Sequence, residues 1–94
     1  MAEELVRYFG TASGRVQGVG FRFTVQSYAQ ELKMTGWVKN MPDGTVTMEF
    51  QGNQIQADTL AQRIREGNFF IKVENLKLEP REPVADEKGF VIRY

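Results

Sequence analysis

The sequence predicts an α+β sandwich, with two helices on one face of an antiparallel sheet. Three observations predict it: two apolar stripes with helical period, segments of strand character around them, and an order of strand, helix, strand, strand, helix, strand. Ninety-four residues suit one domain, 1–94, with a single modest core.

Leu5 to Ser13 is the first strand, with Leu5, Val6, Tyr8 and Phe9 putting apolar and aromatic side chains on both faces. After a glycine-rich loop, Phe21, Val25, Tyr28, Ala29 and Leu32 recur at offsets 0, 4, 7, 8 and 11, an amphipathic helix that ends before Gly36. Trp37 to Met41 and Thr45 to Gln51 read as strands joined by the turn Pro42-Asp43-Gly44, the second alternating Val46, Met48 and Phe50 with Thr47 and Glu49. Asn53 with Gln56 forms a capping-box pattern, Ala57, Leu60, Ala61 and Ile64 make the stripe of a second helix, and Gly67 closes it. Between Ile71 and Leu78 the apolar parity switches from Ile71/Val73 to Leu76/Leu78, which predicts a bulge around Glu74-Asn75. Glu79 to Lys88 reads as a loop, and Phe90 to Tyr94 as a final strand that either continues or partners the Ile71 to Leu78 segment. This order is the split β-α-β pattern of ferredoxin-like sandwiches.

Composition excludes several kinds of function. Twelve basic residues balance twelve acidic ones, so no global field points to nucleic acid or an anionic membrane, and any anion binding must be local. No apolar run approaches the roughly 18 residues of a membrane span. The start, Met1-Ala2-Glu3-Glu4, is acidic where a signal peptide is basic, which makes the cytoplasm the expected location. With no cysteine and no histidine, thiolate nucleophiles, thiolate zinc sites and His-based triads are excluded. An enzyme built from this chain must use arginine, amides, backbone dipoles, hydroxyls or carboxylates.

The stretch Gly14-Arg15-Val16-Gln17-Gly18-Val19-Gly20-Phe21-Arg22 carries the strongest chemical signal. Glycines 18 and 20 let the backbone turn and approach a ligand, and the first amides of a helix lack intrahelical acceptors, so an anion can satisfy them. Arg22 adds a cation whose fork matches phosphate oxygens. On these residues alone, a metal-free phosphate cradle and a tight turn with a solvated Arg22 are equally good readings. Three known motifs do not fit: the dinucleotide fingerprint needs glycine where Phe23 stands, the P-loop needs a Gly-Lys-Ser/Thr ending, and the RNA-recognition signature loses its stacking aromatics at Val19 and Thr24. Asn40 beside Pro42-Asp43-Gly44 reads in isolation as a turn residue.

The combination Gly14-x-Val16-Gln17-Gly18-Val19-x-Phe21-Arg22 is similar to the signature of the acylphosphatases. The second half of that pattern follows as Gly36-Trp37-Val38-Lys39-Asn40, Asp43-Gly44-x-Val46 and Gln51-Gly52, and the terminal Phe90-x-Ile92-Arg93-Tyr94 extends the resemblance over nearly the whole chain. Two departures stand out. Asn68 follows Gly67 where many members have proline, and Met41 occupies a position where some relatives carry a hydroxyl residue.

The resemblance implies metal-independent, cofactor-free hydrolysis of the carboxyl-phosphate bond of a small-molecule acyl phosphate, with Arg22 and Asn40 as the catalytic pair. The backbone of Arg15, Val16, Gln17, Gly18, Val19, Gly20 and Phe21 would then hold the phosphoryl group, and inorganic phosphate, the product, would compete for that cradle. Neither nucleic acid nor membrane is an expected partner, and a domain of this size is expected to be a monomer. The main alternative is a ferredoxin-like module that senses phosphate without turnover. An RNA-binding domain, and the acylphosphatase-like module of larger hydrogenase-maturation proteins that handles carbamoyl phosphate, fit less well; the length of the chain favours a stand-alone enzyme.

Overall fold

A computed structural model describes residues 4–94, so the acidic start at Met1-Ala2-Glu3 lies outside the described residues. Strands Val6–Arg15 (β1), Thr35–Asn40 (β2), Val46–Gly52 (β3), Lys72–Arg81 (β4) and Phe90–Arg93 (β5), with helices Phe21–Glu31 (α1) and Gln54–Glu66 (α2), follow the expected order. They form one sheet ordered β4-β1-β3-β2-β5. Central β3 turns Val46, Met48 and Phe50 into the core with no exposure, where they join Val25 and Ala29 of α1 and Leu60 and Ile64 of α2. Each large side chain so buried contributes about 1.5–3 kcal/mol.

The parity switch is a bulge: Ser13 pairs with Asn75 and Gly14 with Val73, leaving Glu74 as the extra residue of β4. Two strands run longer than the sequence predicts. β1 continues to Arg15 because β4 pairs with it as far as Lys72, and β4 continues through Pro80 to Arg81. Among the described residues β4 has a neighbour on one side only, so it tolerates a residue without an N–H.

The last strand corrects the sequence reading. β5 neither continues nor partners the Ile71 to Leu78 segment; it lies at the opposite edge and pairs parallel with β2, from Gly36↔Phe90 to Lys39↔Arg93. The sheet is therefore mixed, four antiparallel strands plus one parallel edge strand. That pairing of a four-residue strand depends on a neighbour 54 residues away, which no local pattern encodes.

Reaching that edge requires residues 82–89 to cross the sheet face opposite the helices. Four strand spacings of about 4.8 Å make roughly 19 Å, which eight residues at up to about 3.4 Å each cover with slack. The crossing follows one cross-strand row, Arg7, Gln51 and Thr35. Buried Arg7 donates to Glu49 Oε1 (2.7 Å), to Gln51 Oε1 (3.2 Å) and through both terminal nitrogens to Glu87 (2.7 and 3.1 Å). Gln51 accepts from Val84 N–H (2.7 Å) and donates to the Val84 carbonyl (2.9 Å). Burial alone would raise the Glu87 carboxyl, but hydrogen bonds from Arg7 and Thr35 and the charges of Arg7 and Arg93 outweigh it and hold it below the usual carboxylate range.

α2 starts as its sequence predicts. Asn53 Oδ1 accepts from Gln56 N–H and Gln56 Oε1 accepts from Asn53 N–H, both at 2.8 Å, a complete capping box. The amide of Gln56 also donates to Leu32 O (2.8 Å), tying α2 to the end of α1. Beyond Gly67, Asn68 Oδ1 accepts the amides of Phe70 and Ile71, both at 2.8 Å, so a side chain fixes the loop that proline would otherwise stiffen.

Two stability predictions follow from these contacts. Replacing Asn53 with Ala should cost about 1 kcal/mol in urea unfolding, the usual value of an N-cap; an unchanged midpoint would deny the cap its role. A carboxyl with a lowered folded-state pKa stabilises the fold above its unfolded value of about 4.3 and loses that contribution as pH falls through the folded value. Glu87→Gln should therefore be less stable than the parent by about 1–2 kcal/mol at pH 7, with the gap closing below about pH 4. A gap independent of pH would overturn the assignment.

Candidate active site

β1 delivers the chain at Arg15, and α1 takes it up at Phe21. Between them the loop is nailed at both ends, with Val16 1% and Phe21 2% exposed, while Val19 packs on the core and Gly18 and Gly20 face outward. Gly18 (φ 74°) and Gly20 (φ 76°) hold left-handed backbone that side chains rarely adopt, and a Cβ on either would point into open space. Gly20 is the N-cap of α1: Thr24 N–H donates to its carbonyl at 3.0 Å, no side chain caps the helix, and no acidic residue lies in its first turn. The positive end of the helix is therefore available to an anion.

The loop borders an open cleft of about 310 Å³ lined by Val16, Gly18, Gly20, Phe21, Arg22, Phe23, Asn40, Ile92 and Tyr94. Arg22 Nη1 makes a long contact to the Arg93 carbonyl (3.4 Å), and its guanidinium stands 4.8 Å from the Tyr94 ring centre. That leaves most of its five donors for a ligand. Asn40 closes β2, paired with Val46. Its Oδ1 is buried and has no hydrogen-bond partner among the described residues. A buried acceptor left unmet costs about 1–3 kcal/mol.

The structure brings Arg22 and Asn40 together with Val16, Gly18, Gly20 and Phe21. Arg15, Gln17 and Val19 are not among the cleft-lining residues. Arg15 is paired in the sheet with Lys72, and Val19 supports the loop from beneath. Gln17 Nε2 donates to the carbonyls of Met41 and Thr45, both at 2.8 Å, crossing to the β2–β3 hairpin. In that hairpin Met41 N–H donates to Thr45 O (2.9 Å), Gly44 N–H to Met41 O (3.1 Å), and Asp43 Oδ1 accepts from Thr45 Oγ1 (2.6 Å) and N–H (3.0 Å). Met41 thus serves the site through its backbone. The Thr45 hydroxyl, and then its amide, hold the Asp43 carboxyl below its ordinary value.

Sequence reasoning missed the far wall. Phe23, 68% exposed, follows Arg22 on the first turn of α1, while Ile92 and Tyr94 arrive with β5. The terminal Phe90-x-Ile92-Arg93-Tyr94 carried the signal, but its place depends on the parallel pairing with β2.

Comparison with known proteins gives one answer. Residues 8–92 match the family model described as Acylphosphatase. An acylphosphatase of Geobacillus kaustophilus (strain HTA426) is 51% identical over 81 residues, covering 86% of each chain. The crystal structure of acylphosphatase from Bacillus subtilis superposes with a TM-score of 0.89 at 34% identity, over 95% of this chain and 99% of that one. Full-length HypF, in its phosphate- and nucleotide-bound form, contains a similar unit: TM-score 0.90, 25% identity, all of this chain but 12% of that one. The chain therefore belongs to the acylphosphatase family and is a hydrolase of acyl phosphates.

Proposed function

We propose that the loop and Arg22 hold the phosphoryl group while Asn40 holds the attacking water in line with the scissile bond. The observation that carries this reading is Asn40, whose Oδ1 has no partner among the described residues, on the same cleft as Arg22, Gly18 and Gly20. The uncapped start of α1 and the guanidinium stabilise the charge that builds on the equatorial oxygens. The acyl group then faces the side formed by Phe23, Ile92 and Tyr94.

Attack forms a bond from the water oxygen to phosphorus and breaks the bond from phosphorus to the acyl oxygen, whose electron pair leaves with the carboxylate. An amide is not basic enough to take the water's proton, and the described residues lining the cleft include no Asp or Glu side chain. The proton passes to a phosphoryl oxygen of the substrate, giving a carboxylate and inorganic phosphate. A leaving carboxylate, with a conjugate-acid pKa of about 4, needs no general acid.

Hydrolysis of benzoyl phosphate in chelator-containing buffer tests the assignment. Arg22→Ala should lose roughly 10²- to 10³-fold in kcat/KM with weakened inhibition by inorganic phosphate. Asn40→Ala should lose roughly 10²-fold in kcat and keep its phosphate inhibition. Full activity in either folded variant would sink its assigned role. Competition should be visible as phosphate raising KM without lowering kcat. Simple alkyl phosphates, whose alkoxides leave far less readily, should not be turned over detectably; rates comparable to those of benzoyl phosphate would demand a general acid that this reading does not supply.

A further inference from the structure

Resting on the roles proposed above for the loop and Asn40, we infer that the Gln17 side chain is a positioning residue that sets the place of Asn40 relative to the phosphate cradle. Gln17 leaves the loop between Val16 and Gly18, two residues that line the cleft, and puts its amide across to the hairpin. Both contacts come from one nitrogen and both measure 2.8 Å. One acceptor is the carbonyl of Met41, the residue directly after Asn40; the other is the carbonyl of Thr45, the residue directly before its sheet partner Val46.

Each half of the site is anchored without this link. The loop is fixed by buried Val16 and Phe21, and the hairpin by its own Met41–Thr45 and Gly44–Met41 backbone bonds. The sheet sets the two strand ends side by side through Ala12↔Val46 and Asn40↔Val46, and the Gln17 side chain carries that constraint beyond the strands, from the loop itself to the hairpin. A glutamine amide has two N–H groups on one planar nitrogen, so it can meet two carbonyls at once and resist sliding along either. Phosphate affinity depends on the cradle and Arg22 alone, whereas turnover needs the water to be in line with the phosphorus. Loss of the link should therefore appear in kcat and spare phosphate binding, since misplacement on the ångström scale costs roughly 10- to 100-fold in rate.

The test is a double-mutant cycle on the full chain. Gln17→Met keeps the length of the side chain and removes its donors; Gln17→Glu, which keeps the shape, replaces it if the methionine variant does not melt cooperatively. Each is measured alone and with Asn40→Ala, using benzoyl phosphate turnover and the inhibition constant of inorganic phosphate. We expect kcat to fall roughly 10- to 100-fold with the phosphate constant within about twofold, and the same substitution to change kcat less than about twofold once Asn40 is alanine. An unchanged kcat, a matching loss of phosphate affinity, or an equal loss in both backgrounds would each overturn the proposal. Failure of the underlying reading shows separately, as wild-type kcat in Asn40→Ala alone.

Discussion

Arg7 pins the chain where it crosses the exposed face of the sheet, and the path of everything after residue 81 depends on that hold. With 4% exposure it is the most buried charged residue among those described, and it stays there because Glu49, Glu87 and Gln51 occupy its donors. Burial opposes its charge, yet the two carboxylates more than compensate and leave its pKa raised. A buried ion deprived of its partners would cost several kcal/mol, so alternative paths for the crossing are suppressed. The crossing ends beside Gly36, whose N–H donates to Gly89 O (3.1 Å), and β5 starts in register with β2 from there. Gln26 of α1 then donates to Phe90 O (3.0 Å) and secures the strand from the helix side.

The direction of the strands explains why the site lies at the other end. β1 and β2 each run antiparallel to β3, hence parallel to one another, and β5 runs parallel to β2. Three C-terminal strand ends therefore point the same way. β1 feeds the glycine loop, β2 ends on Asn40, and β5 ends at Arg93, whose carbonyl meets Arg22. α1 begins at this end because the loop reverses the chain, which aims its positive terminus at the same space. The anchoring strap is thus remote from the chemistry but sets the register of one of its walls.

Elements with local causes were legible in the sequence. The capping box at Asn53, the stripe of α2 and the Pro42-Asp43-Gly44 turn arise from neighbours within a few residues, and the bulge at Glu74 showed as a parity switch although it lies in the pairing with β1. That the glycine loop, Arg22 and Asn40 meet at one cleft was legible, since a resemblance spanning two separated motifs supplied what spacing could not. Four features were not legible. β5 takes its partner from tertiary geometry; Pro80 looked like a loop residue because nothing local marks β4 as an edge; and Gln17 showed itself as a backbone position, although its side chain makes the contact between the two halves. Arg7 gave no signal either, because a charged residue in a strand looks solvated until the chain that covers it is placed.

The lack of a histidine, aspartate or glutamate side chain among the described residues lining the cleft is itself physically reasonable. A phosphoryl group brings negative charge into the site, and a carboxylate placed to act as base would stand against it. Two unit charges 4 Å apart repel by roughly 4 kcal/mol at an effective dielectric constant near 20, a penalty present in the bound ground state. In the role proposed for Asn40, a neutral amide orients the same water without that repulsion. The cost of using an amide is that it cannot accept the proton, so it suits only a substrate whose own oxygens can take it and whose leaving group departs unprotonated. Acyl phosphates meet both conditions, which is why the proposed set of one arginine, one asparagine and a run of backbone amides is chemically sufficient for them.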